Sequence, residues 1–350
     1  MDLSTSEVLI VGCARNCEKY LDDSIQNLNK AFSQAKKIHF LIIESDSEDH
    51  TVDKLQAFKN SVPNFEFKTL NKLKDTLPLR TDRIAFCRNT YLEEFKNNPR
   101  YQDCHFLVIS DLDGVNDLLE ADGVATCFSR DDWDVCTANQ KGPYYDIWAL
   151  RHPIWCPHDC WDQFHFLVEN REIKDEALFA AVYSKMIEIP SDHEWFSVDS
   201  AFGGLAIYRR HILGSASYIG SFSGKHISEH VPFHQQIVQN GGRIFINPAL
   251  INSSYTEHSG LIPLRKPGPM KATEKITVSY HDVVAAYKLF LNRMPENLAV
   301  IEDRIGSSTE KLLIDFLISE EFSSRKSLDY VFNALAKRAL ERTNEKDVAS

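Results

Sequence analysis

No stretch of this 350-residue sequence is apolar for long enough to cross a bilayer, so no membrane span is expected, although peripheral association is compatible with it. A basic excess is also missing. Lys and Arg number 39 against 50 Asp and Glu, for a net charge of −11, whereas a groove for nucleic-acid phosphates needs a positive field. Nucleic acid is therefore not an expected partner. The first residues, Met1-Asp-Leu-Ser-Thr-Ser-Glu7, lack the basic region of a secretory leader. The eight cysteines are scattered and mostly sit in apolar segments, which reads as small buried side chains in a cytoplasmic protein. Cys156-Pro-His-Asp-Cys160 is the one tight pair, and without a second Cys/His pair it is a poor zinc motif. Internal repeats and low-complexity tracts are absent too.

What is present is an alternation of strand and helix. Val8–Gly12, His39–Ile43, Phe65–Leu70 and His105–Ser110 read as strands, three of them continuous apolar runs. Leu21, Ile25, Leu28 and Phe32 step along one helix face, with Asn16 expected as its cap, and Thr51 is expected to cap a second helix. Arg83–Lys96 reads as a third helix. Continuous apolar strands separated by helices predict an α/β fold, a mostly parallel sheet sandwiched by helices. From residue 135 to 258 the pattern loosens and becomes aromatic-rich. Within it, Phe202–Tyr208 reads as a strand with a glycine pair, Val231–Asn240 as a helix stopped by Gly241-Gly242, and Arg243–Ile246 as a strand. The Pro/Gly-rich segment 260–269 marks a boundary. The expected division is a domain over 1–262, a linker over 263–275 and a small helical domain over 276–350.

Ligands of such sheets sit outside the carboxyl ends of the strands. Those ends carry Cys13-Ala14-Arg15-Asn16, Glu44-Ser45-Asp46-Ser47 and Asp111-Leu112-Asp113, so polar and acidic residues converge on one rim. Alternate residues at a strand end can turn two carboxylates toward one hard divalent ion, whose other positions go to water and diphosphate oxygens. Arg80, Arg83 and Arg88 can aim guanidinium groups at a diphosphate, Arg83 with the best position at a helix start. The same three would serve equally as an ordinary solvated helix face.

Taken together, these strands, the Glu44-Ser-Asp-Ser-Glu-Asp-His-Thr51 segment and the D-x-D resemble the GT-A (Rossmann-like) fold of nucleotide-sugar glycosyltransferases. The resemblance implies that Glu44 meets the nucleoside, with Ala14, Arg15, Asp46 and Leu112 beside the donor. It implies that Asp113 ligates Mn²⁺ or Mg²⁺, with Asp111 at the ribose or the metal shell and His258 of Tyr255-Thr-Glu-His258 completing it. Tyr144-Tyr-Asp-Ile-Trp-Ala-Leu-Arg151, Ser200-Ala-Phe-Gly-Gly-Leu-Ala-Ile-Tyr208 and Arg80-Thr-Asp-Arg-Ile-Ala-Phe-Cys-Arg-Asn89 look like segments of the fungal capsule-associated α-1,3-mannosyltransferases. The acidic residue opening the helix after 229 corresponds to the acceptor-side base, here Glu229, with His230 beside it. A flat aromatic packs on a pyranose while Asp and Arg hold hydroxyls, so Asp146, Trp148 and Arg151 suit a sugar pocket, with Asp199, Gly203 and Gly204 on the acceptor side.

The expected activity is thus a metal-dependent hexosyl transfer from a nucleotide-diphosphate sugar, GDP-mannose-like or a UDP-sugar, to a glycan or lipid-linked acceptor in surface polysaccharide synthesis. Two rivals use the same residues. Val108-Ile-Ser-Asp-Leu-Asp-Gly-Val115 also resembles the nucleophile motif of haloacid-dehalogenase-type phosphatases, although three strand–helix units precede it here and no later Gly-Asp-x-x-x-Asp follows. A carbohydrate-binding protein that kept the fold without turnover is the other. The segment 282–322 resembles a small helical domain of unknown function found in bacterial surface and sugar-related proteins, and it holds no catalytic cluster.

Overall fold

The computed structural model describes residues 2–171, 174–254, 278–291, 293–317 and 319–323. The chain divides into two compact units, residues 1–151 with 188–260, and residues 152–187 with 261–350. The sheet lies in the first. The excursion 152–187 has no compositional break at either end, which is why a single boundary near residue 262 is all that the sequence suggests.

Eight strands build the sheet: β1 (Glu7–Ala14), β2 (Lys37–Glu44), β3 (Phe65–Thr69), β4 (Cys104–Ser110), β5 (Val135–Gln140), β6 (Phe196–Val198), β7 (Leu205–Arg209) and β10 (Ile244–Ser253). Their spatial order is β3-β2-β1-β4-β7-β5-β10-β6. β7 pairs antiparallel with both β4 and β5, and β6 antiparallel with β10, while the remaining pairs are parallel. A short hairpin, β8 (Ser221–Phe222) with β9 (Lys225–His226), stands apart. The fold is therefore α/β with a mostly parallel sheet, as the continuous apolar runs predict.

Helices cover both faces. α1 (Glu18–Ala31), α2 (Thr51–Ser61) and α4 (Ala121–Thr126) share a core with Val8, Ile10, Phe40, Ile42, Phe106 and Val108. Alternate residues Leu9, Val11, Leu41, Ile43, Leu107 and Ile109 are buried toward the opposite face, where α3 (Arg80–Asn97) meets β1 and β2. Period-two alternation with both sets buried is what turns a half-buried strand into a continuous apolar run. α1 buries Leu21, Ile25 and Leu28, and Phe32 at its C-cap, as their spacing predicts. α7 (His230–Gln239) packs Phe233 against Tyr218, ring centroids 4.1 Å apart.

Two expected caps are not caps. Asn16 adopts a left-handed φ of 48°, and its Oδ1 accepts from the Glu48 amide at 2.8 Å. Thr51 is the first residue of α2, and its Oγ1 accepts from the Cys17 amide at 2.9 Å. Both polar side chains are spent tying the β1 and β2 ends together, a long-range use that local spacing cannot reveal.

In the second unit α5 (Cys160–Arg171) and α6 (Lys174–Ala181) form the excursion. Cys156 and Cys160 are buried, and no third ligand-type side chain joins them among the described residues. Farther along, α8 (Tyr280–Leu291), α9 (Leu298–Glu302), α10 (Thr309–Leu317) and α11 (Glu320–Ser323) bring Val283, Tyr287, Leu291, Leu312 and Phe316 into one small core. Leu313, one residue off that stripe, is 39% exposed. No helix among the described residues is long and apolar enough to cross a membrane.

Candidate active site

The carboxyl ends of β1, β2 and β4 and the amino end of the reversed β7 meet at one rim. Two glycine contacts fix their spacing. A Cβ on Gly12 of β1 would stand 2.8 Å from Leu112 Cδ1 and 2.8 Å from the Ser110 carbonyl, so only glycine lets the D-x-D turn lie against β1. Leu112 is consequently 2% exposed and belongs to the core, a wedge that aims Asp111 and Asp113 away from it. At the start of β7, Gly203 and Gly204 have φ of +67° and +86°, a conformation costly to any residue with a Cβ. Their carbonyls face the rim and are held by buried amides. Gly203 O accepts from Asn252 Nδ2 at 2.7 Å and from Gln140 Nε2 at 3.2 Å, and Gly204 O accepts from the Asp111 amide at 2.9 Å. Asn116 joins this network, donating to the Asp111 carbonyl and accepting from Asn252. None of Asn116, Gln140 or Asn252 was marked by the sequence, since a buried amide carries no periodic or motif signal.

Asp111 keeps 36% of its side chain exposed, and its carboxyl is pushed up to about 7. Burial of its surroundings is the main cause, and the negative charges of Asp113, Asp146 and Glu229 add to it, against the opposing pull of Arg88. Asp113 is exposed. The charges of Asp113, Asp146 and Glu229 act on the Asp111 carboxyl against that of Arg88, a local field that a divalent cation would offset. The Asp111/Asp113 pair thus fits such an ion, with oxygen donors alone as Mg²⁺ or Mn²⁺ prefer. His258, the expected third ligand, lies outside the described residues. The one cluster of three ligand-type side chains among the described residues is elsewhere: Glu7, His39 and Cys104, at the opposite ends of β1, β2 and β4. There Lys36 and Lys37 already pair with Glu7, and burial pushes the Cys104 thiol up to about 12, so that cluster is a poor cation site.

The residues expected at the donor divide into two groups. Glu44 is 2% exposed, and both carboxylate oxygens are taken: Oε1 by the Ser47 amide at 3.0 Å, Oε2 by the Thr69 hydroxyl. It shapes the turn that presents Asp46. Asp46 has φ of 60° and accepts from the Lys74 amide through Oδ1 at 3.0 Å. Its buried Oδ2 takes no hydrogen bond, and Arg83 Nε is 3.8 Å away. Arg83 spends its Nη1 on the Leu77 and Pro78 carbonyls at 2.8 Å, holding the turn before α3. Ala14 is buried, with its carbonyl accepting from the Ser45 amide, while Arg15 and Arg80 are exposed cations.

On the other side of Asp111, Asp146 Oδ2 accepts from the Gly203 amide at 2.9 Å and Oδ1 from the Ala149 amide at 3.3 Å. Trp148 has a buried indole N–H without a hydrogen-bond partner among the described residues. Arg151 donates to the Trp148 and Leu150 carbonyls at 2.9 and 2.7 Å, and its backbone bridges to Ser200. Asp199 is exposed, with its carboxyl shifted up by partial burial.

Arg88 was the third arginine of the helical run, without helix-start geometry to single it out. It is 5% exposed and sits at the centre. Nε donates to Glu229 Oε1 at 2.9 Å, Nη1 to Tyr91 OH at 3.1 Å and Nη2 to Asp111 Oδ1 at 3.4 Å. The Phe202 and Tyr218 rings lie 5.2 and 5.6 Å from its Cζ. Glu229 is 7% exposed at the N-cap of α7. His230 stacks on Phe202 with centroids 3.9 Å apart, neither ring nitrogen has a hydrogen-bond partner, and burial holds it neutral, well below the usual histidine range. His234 is a satisfied core residue between Ser200 Oγ at 2.9 Å and Tyr208 OH at 2.7 Å.

No protein-family model and no curated protein matches the chain. Among solved structures, it is similar to the mannosyltransferase PcManGT from Pyrobaculum calidifontis in complex with GDP-Man and Mn²⁺, at 12% identity and a TM-score of 0.41, over 99% of this chain and 81% of that one. It is also similar to TarS 1–349 of S. aureus in complex with UDP-GlcNAc, at 14% identity and a TM-score of 0.41, over 94% and 81%. A third is glucosyl-3-phosphoglycerate synthase from Mycobacterium tuberculosis with Mn²⁺, UDP-glucose and phosphoglyceric acid, at 10% identity and a TM-score of 0.35, over 71% and 69%. Likeness at these scores carries no argument about activity, which has to come from the rim itself.

Proposed function

We propose that the chain is a metal-dependent glycosyltransferase that moves a hexose from a nucleotide-diphosphate sugar to a glycan or lipid-linked acceptor in surface polysaccharide synthesis. One observation carries the reading. Asp111 and Asp113 stand at alternate positions just beyond the end of β4, on the rim that also bears Asp46 and the exposed Arg15 and Arg80. Carboxylates placed so by a strand end suit a shared cation, and the flanking arginines suit a diphosphate.

Mn²⁺ or Mg²⁺ on Asp111 and Asp113, with His258 as a third ligand, would offset the charge of the departing nucleoside diphosphate. Glu44 and Asp46 set the turn on the nucleoside side, and the exposed Arg15 and Arg80 approach the phosphates. The orphaned Trp148 N–H and the indole face take the sugar beside Asp146 and Arg151. Gly203 and Gly204 hold the acceptor-side backbone in place, with the exposed Asp199 beside the acceptor. Glu229 takes the proton of the attacking hydroxyl. The donor is a GDP-mannose-like sugar or a UDP-sugar, the first in keeping with the resemblance of segments 144–151 and 200–208 to the fungal capsule-associated mannosyltransferases. Eight cysteines without a disulfide suit a reducing compartment, so we place the protein in the cytoplasm.

The phosphatase alternative would use Asp111 as the nucleophile, but three strand–helix units precede this strand and no later Gly-Asp-x-x-x-Asp follows it. The test is a thermal-shift panel of nucleoside diphosphates and nucleotide sugars with and without Mn²⁺. A metal-dependent shift with GDP, UDP or their sugars, followed by donor hydrolysis, supports the transferase. Binding with no turnover toward any acceptor or water would favour a carbohydrate-binding protein. No shift, with cleavage of a generic phosphate ester, would favour the phosphatase.

A further inference from the structure

We propose that Arg88 is the positioning residue of this site, one guanidinium edge that holds the acceptor-side carboxylate of Glu229 and the donor-side carboxylate of Asp111 at a fixed separation; the proposal rests on the transferase reading. Its three hydrogen-bond partners come from three elements: Tyr91 from α3 itself, Glu229 from the start of α7 and Asp111 from the end of β4. Arg88 and Glu229 are 141 residues apart in sequence, so the pair is a junction between distant parts of the chain.

The geometry is specific to a planar fork. In a guanidinium the Nε–H and one Nη share an edge, and that edge addresses Glu229 at 2.9 Å and Asp111 at 3.4 Å. Nη1, on the other side, is tied to Tyr91 OH, and the Phe202 and Tyr218 rings restrict the group from above and beside. The fork therefore cannot turn without breaking several contacts. On Glu229, Oε1 is the oxygen engaged by Arg88. Binding Oε1 on a fixed edge sets the orientation of the whole carboxylate relative to Asp111, beside which an acceptor hydroxyl would have to stand to attack a donor held there. A lysine would keep the charge and lose the edge.

A purely structural ion pair would look identical in the folded state, so the test must separate the two. Wild type, Arg88→Lys, Glu229→Gln and the double variant are compared in hexosyl transfer with the donor that gives the largest Mn²⁺-dependent thermal shift. Arg88→Lys is expected to keep that thermal shift and a donor KM within about threefold, while kcat falls on the order of a hundredfold. In the Glu229→Gln background the same change should cost clearly less, no more than about tenfold, because only its hold on Asp111 then remains to be lost. An unchanged kcat in Arg88→Lys, or an equal loss with and without Glu229, overturns the assignment while leaving the transferase reading intact. Wild type with neither thermal shift nor transfer overturns both. If Arg88→Lys does not fold, Tyr91→Phe releases Nη1 without touching either carboxylate. It should lower kcat several-fold in wild type and clearly less in Glu229→Gln, and an unchanged kcat in Tyr91→Phe again refutes the positioning role.

Discussion

Arg88 Nε lies 2.9 Å from Glu229 Oε1 with both side chains more than nine-tenths buried, so each is the main partner the other has for its charge. Removing one partner of such a pair leaves the other charge stranded. Arg88→Met should therefore destabilise the protein by about 3–5 kcal/mol. Arg88→Met combined with Glu229→Met should recover most of that loss, since no buried charge then remains. Urea denaturation of the two variants checks this, and a double variant no more stable than the single one would contradict it.

Asp113 is exposed, and Asp111 sits beside it on a turn anchored by Leu112. Asp113→Ala should leave Tm within about 2 °C of wild type, as surface substitutions commonly do. It should abolish the Mn²⁺-dependent part of nucleotide binding and reduce transfer by at least about a hundredfold. Full activity in this variant would remove Asp113 from the metal assignment.

The Asp111 carboxyl gives a pH signature. Its folded value of about 7 lies above the unfolded value near 3.8, so the folded chain binds this proton more tightly. The associated stability is fully present below the unfolded value and is lost as pH rises through about 7. Asp111→Asn, which cannot ionise, should thus be more stable than wild type at pH 8 and no more stable at pH 4. With over a third of the side chain exposed, the gain is discounted to about 1 kcal/mol, or roughly 2–4 °C in Tm. Mn²⁺ competes with the same proton, so its stabilisation of wild type should be larger at pH 8 than at pH 5.5. Thermal scans across pH with and without the ion measure both.

Gly204 has a left-handed φ of +86°, and a Cβ there would stand 2.7 Å from Val115 Cγ2 and 2.9 Å from Tyr145 OH. Gly224, at the β8–β9 turn, has φ of +79° with nothing within 4 Å. Both alanine variants carry backbone strain, about 1 kcal/mol, and Gly204→Ala adds overpacking of roughly 1–3 kcal/mol. Gly204→Ala should also disturb the carbonyl that receives the Asp111 amide, so activity should fall with it. Equal stability losses at the two positions would show that the rim tolerates the extra methyl.

The parallel half of the sheet was legible because the middles of β1, β2 and β4 are buried on both faces and are apolar in an unbroken run. The D-x-D was legible because a strand end reads as an abrupt change from Ile109 to Asp111. Glu44 is a ligand candidate by composition, and its hold by the Ser47 amide and Thr69 hydroxyl is a contact that composition does not reveal. Asn16 and Thr51 misled, since cap chemistry and cross-loop chemistry use the same side chains. The Arg88–Glu229 pair left no local trace, because neither the helix phase of Arg88 nor the neighbours of Glu229 encode a contact made across 141 residues.

The reversal of β7 has a further consequence for the order in which the molecule can assemble. β1, β2, β3 and β4 lie within the first 110 residues and can pair as soon as that length of chain exists. β7 pairs Phe106 with Arg209 and Ser110 with Leu205, so the seam between the two halves of the sheet closes only after about another hundred residues have emerged. That seam carries the Gly204 carbonyl to the Asp111 amide. Contacts of such wide sequence separation form slowly. The rim at that seam is accordingly finished only after β7 has emerged, with β10 still to follow, and during synthesis an open β4 edge waits for its partner.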